Sequence, residues 1–178
     1  MQITISLIGL LVIAACSPKS EDATVMSTST PSSNPLESIH FMDTKPEGAL
    51  AVQVARAQLK PGDEAVVFGQ IGGVEEPFLD GYAGFVLGDT DIVFCDEMGD
   101  EHCLKPWDAC CADPDVLKVS RASVNFVDAE GKMIAASMKD VAGLKGLAEV
   151  TIKGTVAQTS TPDNLIIEAT EIYVDNND

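Results

Sequence analysis

Apolar and polar residues alternate along most of the second half of the chain. From Val119 to Val127, Ala122, Val124 and Phe126 share one face while Arg121, Ser123 and Asn125 share the other. That period of two predicts a half-buried strand. Val150, Ile152 and Val156 alternate in the same way with Thr151, Lys153 and Thr155. Leu165 to Val174 also alternates, but its inward phase slips near Thr170, which predicts a β-bulge there. Ala65 to Ile71 is a continuous apolar run, predicting a strand buried on both faces, and Gly72-Gly73 permits a sharp bend after it. Gly81 to Leu87 and Asp91 to Cys95 are further extended segments. Asp128 to Gly131 forms a hairpin loop with Met133 to Met138 as the returning strand. Helical spacing is rarer. Leu50, Val54 and Ala57 place an apolar stripe on Glu47 to Leu59, closed by Pro61-Gly62-Asp63, and a short helix runs from Asp140 to Leu147 despite Gly143 and Gly146.

This order of strands and short helices resembles an OB-fold, a five-stranded Greek-key barrel. Gly62 to Ile71 and Val150 to Val156 are similar to the first and fourth strands of bacterial OB-fold domains, and Leu165 to Ile172 to the last. The resemblance covers residues 47–95 and 119–174. It implies an all-β domain over 46–178, with short helices and a Cys-rich loop, 95–111, as an insertion.

The amino-terminal apolar run, Ile3 to Ala15, is too short to cross a hydrocarbon layer, which takes ~20 helical residues. It has the length of a signal-peptide core, so residues 1–15 read as a signal peptide. Ile13-Ala14-Ala15-Cys16 resembles the lipobox of bacterial lipoproteins, although Met1-Gln2 lacks the usual Lys or Arg. The resemblance implies lipidation of Cys16 and a protein fastened to a membrane through that anchor, in the cell envelope, facing the periplasm. Ser17 resembles the signal for release to the outer membrane. From Ser17 to Thr44, 14 of 28 residues are Ser, Thr or Pro. That composition predicts a disordered tether, assigned to residues 16–45 with the lipidated cysteine. Ile39, Phe41 and Met42 either dock on the domain or stay loose.

Composition narrows the function. The 178 residues carry 11 Lys+Arg against 28 Asp+Glu, a formal net charge of −17. So few cations argue against binding a phosphate backbone, and nucleic acid is not an expected partner. Catalytic patterns are thin: His40 lies in the tether, His102 is the other histidine, and no hydrolase, zinc-protease or phosphate-loop motif occurs. The expectation is therefore a non-catalytic binding or interaction module. Its partner would be an envelope protein, a peptide, a small ligand or another cationic molecule. Trp107 is the candidate binding residue, as a lid or a stacking platform.

The distinctive chemistry lies in one loop. Cys95, Cys103, Cys110 and Cys111 accompany His102 and the sole tryptophan. In an exported domain an even cysteine number predicts disulfides and no cofactor. Adjacent Cys110 and Cys111 make a poor pair, leaving Cys95–Cys110 with Cys103–Cys111, or Cys95–Cys111 with Cys103–Cys110. The alternative is a zinc or copper site built from Cys95, His102, Cys103, Cys110 and Cys111, although the spacing C-x₇-C-x₆-C-C matches no ribbon or finger. His102-Cys103-x-x-Pro106-Trp107-Asp108-x-Cys110-Cys111 resembles a signature of an uncharacterised group of bacterial lipoproteins, implying a defined element without implying an activity. Nine acids between Asp89 and Asp115 face one base, Lys105. Asp96, Glu97, Asp100 and Glu101 offer calcium oxygens but lack EF-hand spacing, and read as a solvated face.

Overall fold

A computed structural model describes residues 34–98 and 103–175. Cys16, the signal segment and His102 lie outside the described residues. The described residues open with a 3₁₀ turn, Pro35–Ser38, capped by the Asn34 side chain, and strand β1, His40–Phe41. Next come β2, Leu50–Ala51, helix α1, Val52–Gln58, and strands β3, Glu64–Ile71, and β4, Gly84–Gly88. Two short helices, α2 at Cys95–Met98 and α3 at Pro114–Val119, precede β5, Arg121–Phe126, β6, Glu149–Val156, and β7, Leu165–Val174.

Five strands close into a barrel. β3 pairs antiparallel with β4 and β6, β4 with β5, and β6 with β7. The parallel pairing of β5 with β7 completes the ring. This is the expected small OB-like barrel, with few and short helices. Closure removes exposed strand edges and turns one residue in two inward. Val67, Ile71, Phe85, Leu87, Val124, Phe126, Ile152, Ile167 and Ile172 are buried in this way. Each such side chain contributes roughly 1.5–3 kcal/mol. The slip in β7 is also observed: Lys153 pairs with Glu171 but Gly154 with Ala169, so Thr170 is the extra residue.

Several local expectations are corrected. β3 is buried on one face only, with Val66, Phe68 and Gln70 half-buried on the outside. Asp91 to Cys95 is not a strand, because Cys95 already begins α2. Met133 to Met138 contributes one bridge, Val127 to Met133, rather than a returning strand. No helix runs from Asp140 to Leu147: Asp140, Ala142, Gly143 and Leu147 all have positive φ, which breaks a right-handed path. The stretch from Met138 to Leu147 still packs into the barrel core, burying Met138 and Leu144 completely. The helix shortens to α1 and turns another face inward: Val52 and Ala55 are buried, while Val54 and Ala57 of the expected stripe are exposed and Leu50 lies in β2. Part of the tether docks. His40–Phe41 pairs with Glu171–Ile172, the part of β7 beyond its pairing with β5, which ends at Ala169, and Ile39 is buried against the core.

Candidate metal centre in the cysteine loop

The segment between β4 and β5 folds around its own small core. Ile92, Phe94 and Ala109 are buried together, and Ala112, Leu117 and Leu147 pack against them. The loop is then pinned by backbone. Cys95 N–H donates to Asp108 O at 2.8 Å and Asp96 N–H to Pro106 O at 3.1 Å, so the two halves lie side by side. Glu97 reaches back to Phe94 N–H at 3.4 Å, which starts α2. Asp113 accepts from Asp115 N–H and starts α3.

Trp107 ties the loop to the barrel. Its carbonyl accepts from Gly73 N–H at 2.8 Å, and its indole Nε1–H donates to Glu75 O at 2.9 Å. The ring lies so close to Gly146 that a Cβ there would stand 2.5 Å from it. Lys105 bridges to Glu75 and Glu76. The hydrogen bond with Lys105 holds the Glu76 carboxyl below its ordinary range and the Lys105 ammonium above its own. These non-covalent contacts fasten the loop to the barrel.

These constraints bring the sulfurs together. Cys110 Sγ lies 3.6 Å from Cys95 Sγ, 3.8 Å from Cys103 Sγ and 3.8 Å from Cys111 Sγ. Cys95 is buried, Cys103 half-buried, and Cys110 and Cys111 exposed. These sulfurs stand at contact distance, not at the ~2.05 Å of a disulfide. No single pairing stands out, since Cys110 touches three sulfurs. Cys95, Cys103 and Cys110 place their sulfurs within 4.8 Å of one another, an arrangement able to hold a metal ion. A tetrahedral ion with ~2.3 Å bonds to sulfur sets its ligands ~3.8 Å apart, close to the 3.6 and 3.8 Å that separate Cys110 from Cys95 and Cys103. A hollow of 190 Å³, lined by Cys95, Cys103 and Cys110 with Glu75, Lys105 and Asp108, opens onto the group.

The thiols perturb one another. Hydrogen bonding to Cys95, followed by burial and contacts with Cys110 and Cys111, raises the Cys103 thiol far above its ordinary value. Cys111 is raised chiefly by its contact with Cys110. Packed sulfurs resist ionising one beside another until a cation offsets their charge.

The remaining sequence candidates separate. Trp107 lines a cleft of 470 Å³ together with Phe78, Leu79, Lys139 and Lys145, so it walls a hollow as well as anchoring the loop. Glu97 serves as the cap described above, and Asp100 and Glu101 lie outside the described residues. The sequence reading missed Gly73, Glu75 and Gly146, which seat Trp107. Only Gly-Gly at 72–73 gave a signal, read there as a bend. No helix among the described residues is long and apolar enough to cross a membrane. No protein-family model matches the chain, and neither a curated protein nor a solved structure matches it.

Proposed function

We propose that this chain is a lipid-anchored envelope protein whose OB-like barrel presents a metal–thiolate centre. Cys95, Cys103 and Cys110 are its first three ligands and Cys111 is the nearest fourth sulfur. The observation that carries the reading is the sulfur spacing of 3.6 and 3.8 Å around Cys110. Soft thiolates select zinc or Cu(I) over calcium and magnesium, and a closed sulfur set suits a structural or storage role rather than an open catalytic one. Binding would also displace the thiol protons and shield the sulfurs from oxidation in the periplasm. The lipobox at Ile13–Cys16 supports the anchor.

Disulfide formation is the second reading, favoured by the Cys95–Cys110 contact, one of the two pairings open from sequence. Cysteine-to-serine variants separate the two. Under the metal reading, Cys103→Ser and Cys110→Ser each lower bound zinc or copper below one ion per chain, while the barrel keeps its far-ultraviolet signature. Unchanged metal content in both variants contradicts it. For the anchor, Cys16→Ser is expected to move the protein from the membrane to the soluble fraction, and unchanged fractionation removes that part of the proposal.

A further inference from the structure

A second cleft uses none of the loop's cysteines. Arg56 of α1, Lys118 of α3 and Arg121 of β5 line a cleft of 210 Å³ with Ser123, Asp163 and Asn164. Positions 56, 118 and 121 come from three elements, so folding gathers three of the chain's 11 cations in one place.

Neither guanidinium has a carboxylate partner within 4 Å among the described residues. Arg56 donates through Nη1 to Arg121 O and through Nη2 to Pro162 O, both at 2.9 Å. Arg121 donates through Nε to Leu117 O at 3.0 Å and through Nη1 to Gly73 O at 3.1 Å. Each uses only part of its five-donor fork. Burial lowers the Arg56 guanidinium most, the Asp163 charge acts next and raises it, and the Arg121 charge lowers it by less. Among the described residues Asp163 is the one acid in the lining, against the two guanidiniums, because the exposed Lys118 ammonium is already engaged by Asp115 at 2.8 Å.

We infer that this cleft binds a small oxyanion of the phosphate or sulfate class. A half-buried guanidinium pair offers planar N–H forks matched to oxyanions, and the Asn164 amide adds a neutral donor, its oxygen being engaged by the Ser123 hydroxyl at 3.4 Å. The volume of 210 Å³ is below the ~300–1,000 Å³ of drug-sized ligand pockets, which selects an ion over a nucleotide. The site is independent of the metal proposal.

The test uses the full chain and inorganic phosphate and sulfate, compared with chloride at matched ionic strength. The readouts are the arginine side-chain N–H signals in NMR and the melting temperature. Phosphate and sulfate are expected to shift the Arg56 and Arg121 signals saturably, whereas chloride does not. Ser123→Glu places a carboxylate in the cleft without removing either arginine latch, so it keeps the test interpretable where Arg121→Gln unfolds the protein. It is expected to weaken phosphate binding about tenfold or more, which corresponds to ~1.4 kcal/mol. Two results overturn the site: signal shifts the same with chloride as with phosphate, or a phosphate response unchanged in Ser123→Glu. The second leaves only the general stabilisation that excluded salts give any protein.

Discussion

The buried carboxylate of Asp89 accepts the backbone N–H of Gln53 at 2.8 Å, capping α1 from a point 36 residues later in the chain. The helix lacks a cap of its own, because Ala51 occupies the N-cap position. Asp89 also accepts from Asp91 N–H at 3.1 Å, starting the cysteine loop with the same side chain. One residue therefore fixes both the helix and the loop entrance.

Replacing Asp89 with alanine removes both acceptors and leaves two amide groups unsatisfied. The expected loss is about 2 kcal/mol, the upper range for a helix cap. Asp89→Asn retains an acceptor and is expected to lose less. Chemical denaturation of the two variants checks the order, and an equal loss contradicts the capping account.

Gly154 sits at the β6–β7 bulge, where an added Cβ would stand 2.2 Å from Glu168 O. Both partners are strand backbone, so no flexible side chain can give way. Gly154→Ala is therefore expected to destabilise the barrel by several kcal/mol, within the range of severe single substitutions. A melting temperature equal to the parent's would show that the bulge tolerates a side chain.

Across that bulge Lys153 Nζ meets Glu171 Oε1 at 2.7 Å, and His40 meets Glu171 at 3.3 Å. The Lys153 hydrogen bond holds the Glu171 carboxyl below its ordinary value against the opposing effect of burial. A depressed folded-state pKa gives stability that is present above the unfolded value and lost as pH falls through the folded one. Because the pair is partly exposed, the contribution stays below ~1 kcal/mol. Glu171→Gln is expected to be slightly less stable at neutral pH, with the difference closing below about pH 4. A difference that persists in acid would assign the effect to packing.

Trp107 reports on the loop because its ring rests on Gly146. Gly146→Ala is expected to push the indole off its seat and shift its emission to the red, while the barrel's circular dichroism stays intact. Unchanged emission would mean that the loop is seated by Lys105 and the backbone bonds alone.

Much of the barrel was legible in sequence because a half-buried strand advertises itself every second residue. Ala122, Val124 and Phe126 announced β5, and the broken phase after Ala169 located the bulge at Thr170. The stretch from Met138 to Leu147 was not legible. Its residues Met138 and Leu144 bury deeply from a backbone with several left-handed residues, and no period marks such a path. The cysteine site was legible as a set of ligands but not as a geometry. Its spacing fits no known finger, because Gly73, Glu75 and Gly146 shape the loop from outside it through Trp107. Asp89 was read as one acid among nine, yet burial gives it a role the exposed ones do not share. Its partner lies far away in sequence, so no local pattern could reveal it.

Native mass spectrometry of the protein purified without reductant or chelator tests the metal centre most directly, with a thiol count taken before and after metal removal. The predicted result is one zinc or copper ion per chain, with the cysteines alkylated readily only once the ion has been stripped. Chains that carry no metal, and whose mass is lower by four hydrogens because two disulfides have formed among Cys95, Cys103, Cys110 and Cys111, would contradict it.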